Sequence, residues 1–474
     1  MTFVSVTFLV FFVLFLLIYW NLAGSSRILV CLAASYLFYG WWDYRFLALI
    51  LGSTVVDFLI ARGIHTANSK SVKRLLLSLS VFANLGVLCF FKYFKFFIQS
   101  TEDLMAQVGW IVDWPTLNII LPIGISFYTF QTLSYTIDVY RQKIQPENDF
   151  LKFATFVAFF PQLVAGPIVR ASHFLPQLQS DRTFQFSNLT SGFHQMVIGF
   201  AKKLIIADTL AVVVDPVFAF PEGHCSLDMI FAASLFSIQI YADFSGYSDI
   251  AIGAARMAGF ELPLNFDRPF FAASFRDFWR RWHISLSTWL RDYLYFPLGG
   301  SRQNQWMTYR NIMITMLLAG VWHGAGLTFA VWGLMLGAYL CMEAMIGPVV
   351  SQRCRKMIGE RGTQAMGSLL VFAFLTFSLI IFRNPTLVDG MAYLGGLFDP
   401  NGFSPNLLQN RIPLLKALAV SFGFFLIEAS ISWSFLPNTY YRQPMLRSAT
   451  SLVLLWMIAF LGTFQGTAFV YFQF

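Results

Sequence analysis

The sequence predicts an all-α, polytopic transmembrane helical bundle, and three observations carry that expectation. Of 474 residues, 57% are hydrophobic and only 12% charged, against roughly 25% charged in an ordinary soluble domain. The apolar residues come in long unbroken runs, each near the roughly 20 residues that one helix needs to cross the hydrocarbon. A transmembrane barrel would instead read as alternating segments of about ten. The aromatic load of 54 Phe, 13 Trp and 18 Tyr suits lipid-facing surfaces and interfacial belts. About eleven membrane segments follow in order: Phe3–Leu22, Ile28–Leu51, Leu75–Phe97, Leu117–Ile137, Leu151–Val169, Phe193–Phe218, Met229–Ala255, Ile312–Met342, Ser368–Phe382, Pro413–Ser432 and Ser451–Phe472. The first is read as a retained span, because no Lys or Arg precedes it and no convincing small-residue cleavage site follows. No repeat is visible and no linker rich in Pro, Ser or Gly intervenes, so residues 1–474 are read as one domain.

Charge then orients the spans. The net charge is +8, from 32 Lys and Arg against 24 Asp and Glu, and in a membrane protein such an excess is first an orientation signal. Nucleic-acid binding is not supported, since no soluble basic domain is present to carry it. The five cysteines are scattered and form no C-x-x-C pair, so they supply neither a metal nor a disulfide framework. The basic stretches Arg62–Arg74 and Arg353–Arg361 read as cytoplasmic, while Glu102, Asp103 and Asp113, and the nearly neutral stretch Arg383–Arg411, read as outside. With the N-terminus inside, these assignments agree.

One stretch disturbs the alternation. Asp267–Arg310 holds seven Arg and three acidic residues and also reads as cytoplasmic, so the segment between it and Arg353 must cross an even number of times. That segment has too few apolar residues for two full spans, which predicts a bend within the membrane near Gly320, Gly324 and Gly326. Parity calls for a second irregular segment, and Phe159–Pro167, with two prolines that cannot donate to a helix ladder, is the candidate. Non-helical backbone at that depth survives only when buried in protein or lining a wet cavity, so a cavity is expected.

Three features could carry chemistry. From Asn311 to Met342 the only Asp, Glu, Lys, Arg or His is His323, between Trp322 and Gly324. An intramembrane imidazole suits proton transfer, with flanking glycines that would let a substrate approach; the bland alternative is a neutral histidine bonded to a neighbouring helix. Between Ser274 and Tyr295, Phe275, Phe278, Trp279, Trp282, Leu286, Trp289, Leu290 and Tyr293 line one helical face. Arg276, Asp277, Arg280, Arg281, Arg291 and Asp292 line the other. This predicts an interfacial amphipathic helix with His283 at the border of its faces. Its arginines either snorkel to lipid headgroups or hold an anionic acyl donor. Third, Asp243 and Asp249 lie inside a predicted span and should be paired, with the arginines or a histidine as partners. Asp57 and Asp138 read as structural. No phosphate-binding loop or H-E-x-x-H motif is present.

The run Arg280-Arg281-Trp282-His283-Ile-Ser285-Leu-Ser287-Thr-Trp289-Leu-Arg291-Asp292-Tyr293, followed some 40 residues later by Gly320-Val-Trp322-His323-Gly324, resembles the membrane-bound O-acyltransferase family, in its bacterial alginate O-acetylation branch. Tyr36–Trp42, Leu121–Phe127, Phe160–Pro167, Tyr241–Asp249 and Tyr471–Phe474 extend the resemblance over nearly the whole chain. It implies a central tunnel with His323 as the catalytic histidine and His283 as the second. It also implies no metal, no permanently bound cofactor, and an acyl group delivered from the cytoplasmic side of a bacterial inner membrane. Acetyl-CoA or an acyl carrier would be the donor. Periplasmic acetyltransferase partners would esterify an exported polysaccharide of the alginate type, with cellulose or peptidoglycan as other acceptors. The donor- or substrate-binding candidates are Arg276, Arg280, Arg281, Arg291, Trp282, Trp322, Asp243 and Asp249. The competing class is a secondary transporter or flippase of envelope precursors, using Asp243 and Asp249 for ion coupling; it predicts inverted repeats.

Overall fold

The computed structural model describes residues 1–110, 114, 119–164, 166–398, 411–432, 443–464 and 469. Asp113, the start of the Leu117 segment, Ala165, residues 399–410 of the neutral stretch and the Tyr471–Phe474 terminus lie outside the described residues. Helix dominates, and no strand occurs among the described residues. The chain groups into two compact units, Met1–Phe193 with Ala251–Pro263, and His194–Ile250 with Leu264–Phe474.

The first unit contains α1 (Val6–Trp20), α2 (Gly24–Gly40), α3 (Leu47–Thr66), α4 (Lys70–Gln107), α5 (Ile125–Tyr140), α6 (Phe150–Ala158), α7 (Phe160–Leu163) and α8 (Ala171–Gln179). The Ser5 hydroxyl caps α1 by accepting the Phe8 N–H, satisfying one of the amides that a helix start leaves without a partner. Phe8, Phe12, Phe15 and Tyr19 form its buried stripe, while Val6, Val10, Val13 and Leu17 stay exposed. A helix apolar all round with one protein-facing stripe is built for lipid on its other side.

Two sequence expectations meet their outcome in this unit. The apolar run Ile28–Leu51 is not one span. It breaks after Gly40, where Asp43 accepts the Arg45 N–H at 2.9 Å and starts a short 3-10 turn, and α3 begins at Leu47. Trp41, Trp42 and Tyr44 are exposed at the break, as interfacial rings are. Three helices therefore precede the turn between α3 and α4, not two spans.

The irregular segment after α6, by contrast, lies where the prolines place it. Phe159 leaves helical geometry and Phe160–Leu163 forms a single turn. Phe159, Phe160 and Leu163 are fully buried. The Phe160 ring meets Phe11, Phe12, Phe15 and Phe38 at 5.2–6.2 Å, and its N–H donates to the Ser35 hydroxyl at 3.1 Å. Gly124, at φ 79°, passes so close that a Cβ would meet the Leu163 carbonyl oxygen at 2.5 Å. Phe159–Leu163 is therefore packed in protein. A 220 Å³ cavity does occur in the unit, bordered by Tyr19, Arg27, Lys152 and Arg182. Asp57, read as structural, accepts from Ser80 at 2.5 Å, Asn84 at 2.7 Å and Thr136 at 3.1 Å. Asp138 faces Lys143 at 3.7 Å.

α9 (Phe186–Ala201) begins in the first unit and ends in the second, where a π-helical turn, Lys202–Ala207, leads into α10 (Asp208–Ala219). α11 (Ser226–Met257) follows, then α12 (Phe275–Arg281), α13 (Ile284–Leu290), α14 (Gln305–His323), α15 (Leu327–Arg383), α16 (Leu387–Gly396), α17 (Arg411–Ser432) and α18 (Pro444–Leu461). Six helices among the described residues are long and apolar enough to cross a membrane, among them α3, α4, α11 and α15.

The expected bend is a helical hairpin. α14 ends at His323, Gly324–Gly326 turns, and α15 returns. Both arms are longer than the apolar count allowed: α14 recruits Gln305–Arg310, reaching about 28 Å at 1.5 Å per residue. The basic stretch near Arg353, expected as a loop, is helical except at Gly359, where φ 73° kinks α15. Gly320 is not at the bend. It lies inside α14, where a Cβ would meet the Phe329 carbonyl oxygen at 2.2 Å, and a Cβ on Gly333 would meet the Met316 carbonyl oxygen at 2.4 Å. These glycines bring two backbones together, as small residues do between membrane helices.

Candidate active site

His323 is placed by the end of α14. It is 6% exposed, and its ring is held nearly perpendicular to Trp322 at 5.0 Å, Trp332 at 5.2 Å and Phe382 at 5.8 Å. Trp332 is itself fixed, its indole N–H donating to Ser378 Oγ at 3.3 Å. A Cβ on Gly324 would lie 2.1 Å from the Phe329 ring, so the missing side chain makes room for Phe329.

His283 interrupts what the periodicity predicts as one helix. Trp282 is extended and His283 adopts φ 43°, ψ 53°, the left-handed region that few side chains other than Asn, Asp and His enter. The cause lies in the residues before α12. Asp267 N–H donates to the Arg281 carbonyl at 2.9 Å, and Ile284 N–H donates to the Asn265 carbonyl at 2.9 Å. These pairings consume the groups that a continuous helix would join to one another. The break buries His283 to 1% exposure and sets its ring against Phe244 at 4.7 Å and Trp322 at 6.2 Å. Nδ1 faces Asn265 Oδ1 at 3.2 Å. Burial pushes the imidazole down to about 3, so the ring is neutral at physiological pH and offers a lone pair rather than a charge.

The two histidines thus converge on one ring, since Trp322 touches both. Acyl transfer needs a base that takes a hydroxyl or thiol proton, and either imidazole, set among aromatic rings, has the chemistry to be one.

Trp282, next to His283 in the chain, is buried, stacked on Phe278 at 5.4 Å and edge-on to Phe266 at 5.1 Å. Arg276, Arg280 and Arg291 are exposed; Arg281 pairs with Asp277 and Arg291 with Asp292, at 2.9 and 2.8 Å. The apolar face is buried as its spacing implies, although two short helices carry it. Glu343 on α15 holds the start of α12, accepting the Phe275 and Arg276 N–H groups at 2.6 and 3.0 Å. Asp243 and Asp249 are paired, but with lysines rather than with the expected arginines or a histidine. Lys203 Nζ lies 2.9 Å from Asp243 and 2.7 Å from Asp208, and Lys202 Nζ lies 2.8 Å from Asp249. Each carboxylate that ion coupling would use is thus closed by an ammonium.

Sequence reasoning missed Lys202, Lys203 and Asn265. The lysines had a signal, two adjacent cations inside the apolar run Phe193–Phe218, where ionisable groups call for partners. Lys203 is 1% exposed between two carboxylates, and the π turn that begins at Lys202 widens the helix there. Asn265, between two apolar residues in a loop, carried none.

Comparison with known proteins adds to this geometry. Residues 142–383 match the membrane-bound O-acyltransferase (MBOAT) family. A probable alginate O-acetylase, AlgI, of Pseudomonas syringae is 43% identical over 403 residues, covering 84% of this chain and 75% of its own length. A peptidoglycan O-acetyltransferase of Helicobacter pylori is 37% identical, covering 78% of this chain and 73% of its own. A teichoic acid D-alanyltransferase of Bacillus subtilis is 28% identical, with coverage of 56% and 70%.

Proposed function

The chain belongs to the membrane-bound O-acyltransferase family, and from that premise we propose that it moves an acetyl group from acetyl-CoA, or from an acyl carrier, across the bacterial inner membrane for O-acetylation of an exported polysaccharide. It is a multi-pass membrane O-acyltransferase. Alginate-type polymer is the favoured acceptor, because the relatives named for alginate match at 40–43% identity. The observation that carries the site assignment is the convergence of His283 and His323 on Trp322.

In the reaction, His323 accepts the proton of the acceptor hydroxyl as its oxygen attacks the thioester carbonyl. The carbon–sulfur bond breaks and the leaving thiolate takes the proton from the imidazolium, which restores the base. His283, buried against the other face of the site at Trp322, takes part in the transfer as a second proton-accepting imidazole. The exposed arginines of α12 and the turn after α13 suit the phosphates of a coenzyme A donor. The hydroxyl acetylated in this step belongs to a periplasmic acetyltransferase partner, whose ester then exchanges its acetyl group onto a polysaccharide hydroxyl outside.

His323→Ala is expected to reduce polymer ester content to the level of a deletion strain while membrane abundance stays normal. Complementing the deletion, then comparing ester content per polymer with immunoblotted protein, checks this. Unchanged ester content would overturn the assignment.

A further inference from the structure

Asn265 lies in the connection between α11 and α12 and is fully buried. Its side chain makes four contacts, and together they decide which way round the amide sits. Oδ1 accepts the backbone N–H of Ser285 at 3.2 Å and the Ser285 hydroxyl at 2.9 Å, and it faces His283 Nδ1 at 3.2 Å; Nδ2 donates to Ser248 Oγ at 3.2 Å. A backbone N–H can only donate, so the amide atom facing Ser285 is the oxygen. That oxygen can only accept, so the imidazole nitrogen facing it must carry the hydrogen. In a neutral ring the lone pair then belongs to Nε2.

The same residue also caps α13. His283, at the N-cap, contributes no side-chain bond to that end. The first two amides of the helix, those of Ile284 and Ser285, donate instead to the carbonyl and to Oδ1 of Asn265. One side chain therefore holds the left-handed turn at His283 and the tautomer of its ring.

We infer that Asn265 is a positioning residue for the acyl transfer reaction, fixing His283 as the Nδ1–H tautomer with Nε2 as its accepting nitrogen. This rests on the reading of His283 as a participant in transfer, and the test separates the two. The chain has six histidines, so in protein labelled with nitrogen-15 at histidine and reconstituted in nanodiscs, the His283 signals are those lost in His283→Gln. The wild type is expected to show a protonated Nδ1 and a bare Nε2. Asn265→Asp, which keeps an acceptor oxygen at the same place, retains that pattern and ester formation within about threefold. Asn265→Leu mixes the tautomers and lowers ester content, per molecule in the membrane, by at least about tenfold of the ~10²–10⁴ that a positioned acid–base group supplies.

A wild-type ring protonated at Nε2 overturns the inference, and so does an unchanged tautomer in Asn265→Leu. Normal ester content in His283→Gln, with the tautomer as described, overturns instead the role of His283 in transfer.

Discussion

Two breaks in the helices of this protein differ in what fills them. At Phe159–Leu163 the interruption is closed by four phenylalanine rings, and its free amide goes to Ser35. At Trp282–His283 the interruption is closed by an asparagine, and the residue in the left-handed conformation carries an imidazole. Both are buried and both satisfy their backbone, so irregular geometry does not by itself mark a reaction centre. A break becomes a candidate site when the residue it strains can move a proton.

This contrast can be broken at either end. The largest effect is expected at His283: His283→Gln lowers ester content by ~10² or more with protein abundance retained, measured on purified polymer. Lys203→Met comes next. It leaves Asp208 and Asp243 facing each other without their shared ammonium, and loss of one partner from a buried ion pair costs about 3–5 kcal/mol. A lower thermal midpoint in detergent, read by tryptophan fluorescence, checks it. An unchanged midpoint would show that the carboxylates find other partners.

Gly324→Ala drives a methyl group into the Phe329 ring, an overpacking that costs about 1–3 kcal/mol. Because His323 precedes that glycine, ester content is expected to fall together with the midpoint. Ser35→Ala at the other break orphans the Phe160 N–H for about 1–3 kcal/mol, and activity per folded molecule is expected to stay unchanged. A loss of activity there, at constant abundance, would erase the distinction between the two breaks. The smallest effect belongs to Arg281→Ala, whose partly exposed i, i+4 pair with Asp277 is worth about 0.5 kcal/mol.

Much of this was legible beforehand. The prolines of Phe159–Pro167 announce a helix break because they lack a donor, and the glycines after His323 announce a turn. His323 itself stands out because its run holds no Asp, Glu, Lys or Arg. The break between α2 and α3 was not legible, because Trp41 and Trp42 keep the hydropathy of Ile28–Leu51 high across it. The single amphipathic helix at Ser274–Tyr295 was misread for a related reason. Periodicity reports which side chains are buried, and those assignments hold, but it does not report whether a distant loop will take the backbone bonds.

Composition and the placement of rare charges determine, by themselves, that this is a helical membrane protein with its candidate chemistry at two histidines. They do so because hydrocarbon penalises every unpaired polar group, which makes each exception visible. Only the tertiary structure decides the partners. Lys202 and Lys203 reach Asp249 and Asp243 from 47 and 40 residues away in sequence. Asn265 meets His283 because the connection before α12 folds back onto it. A hydrogen bond depends on direction and distance to within a few tenths of an ångström, and no local pattern in the chain encodes that.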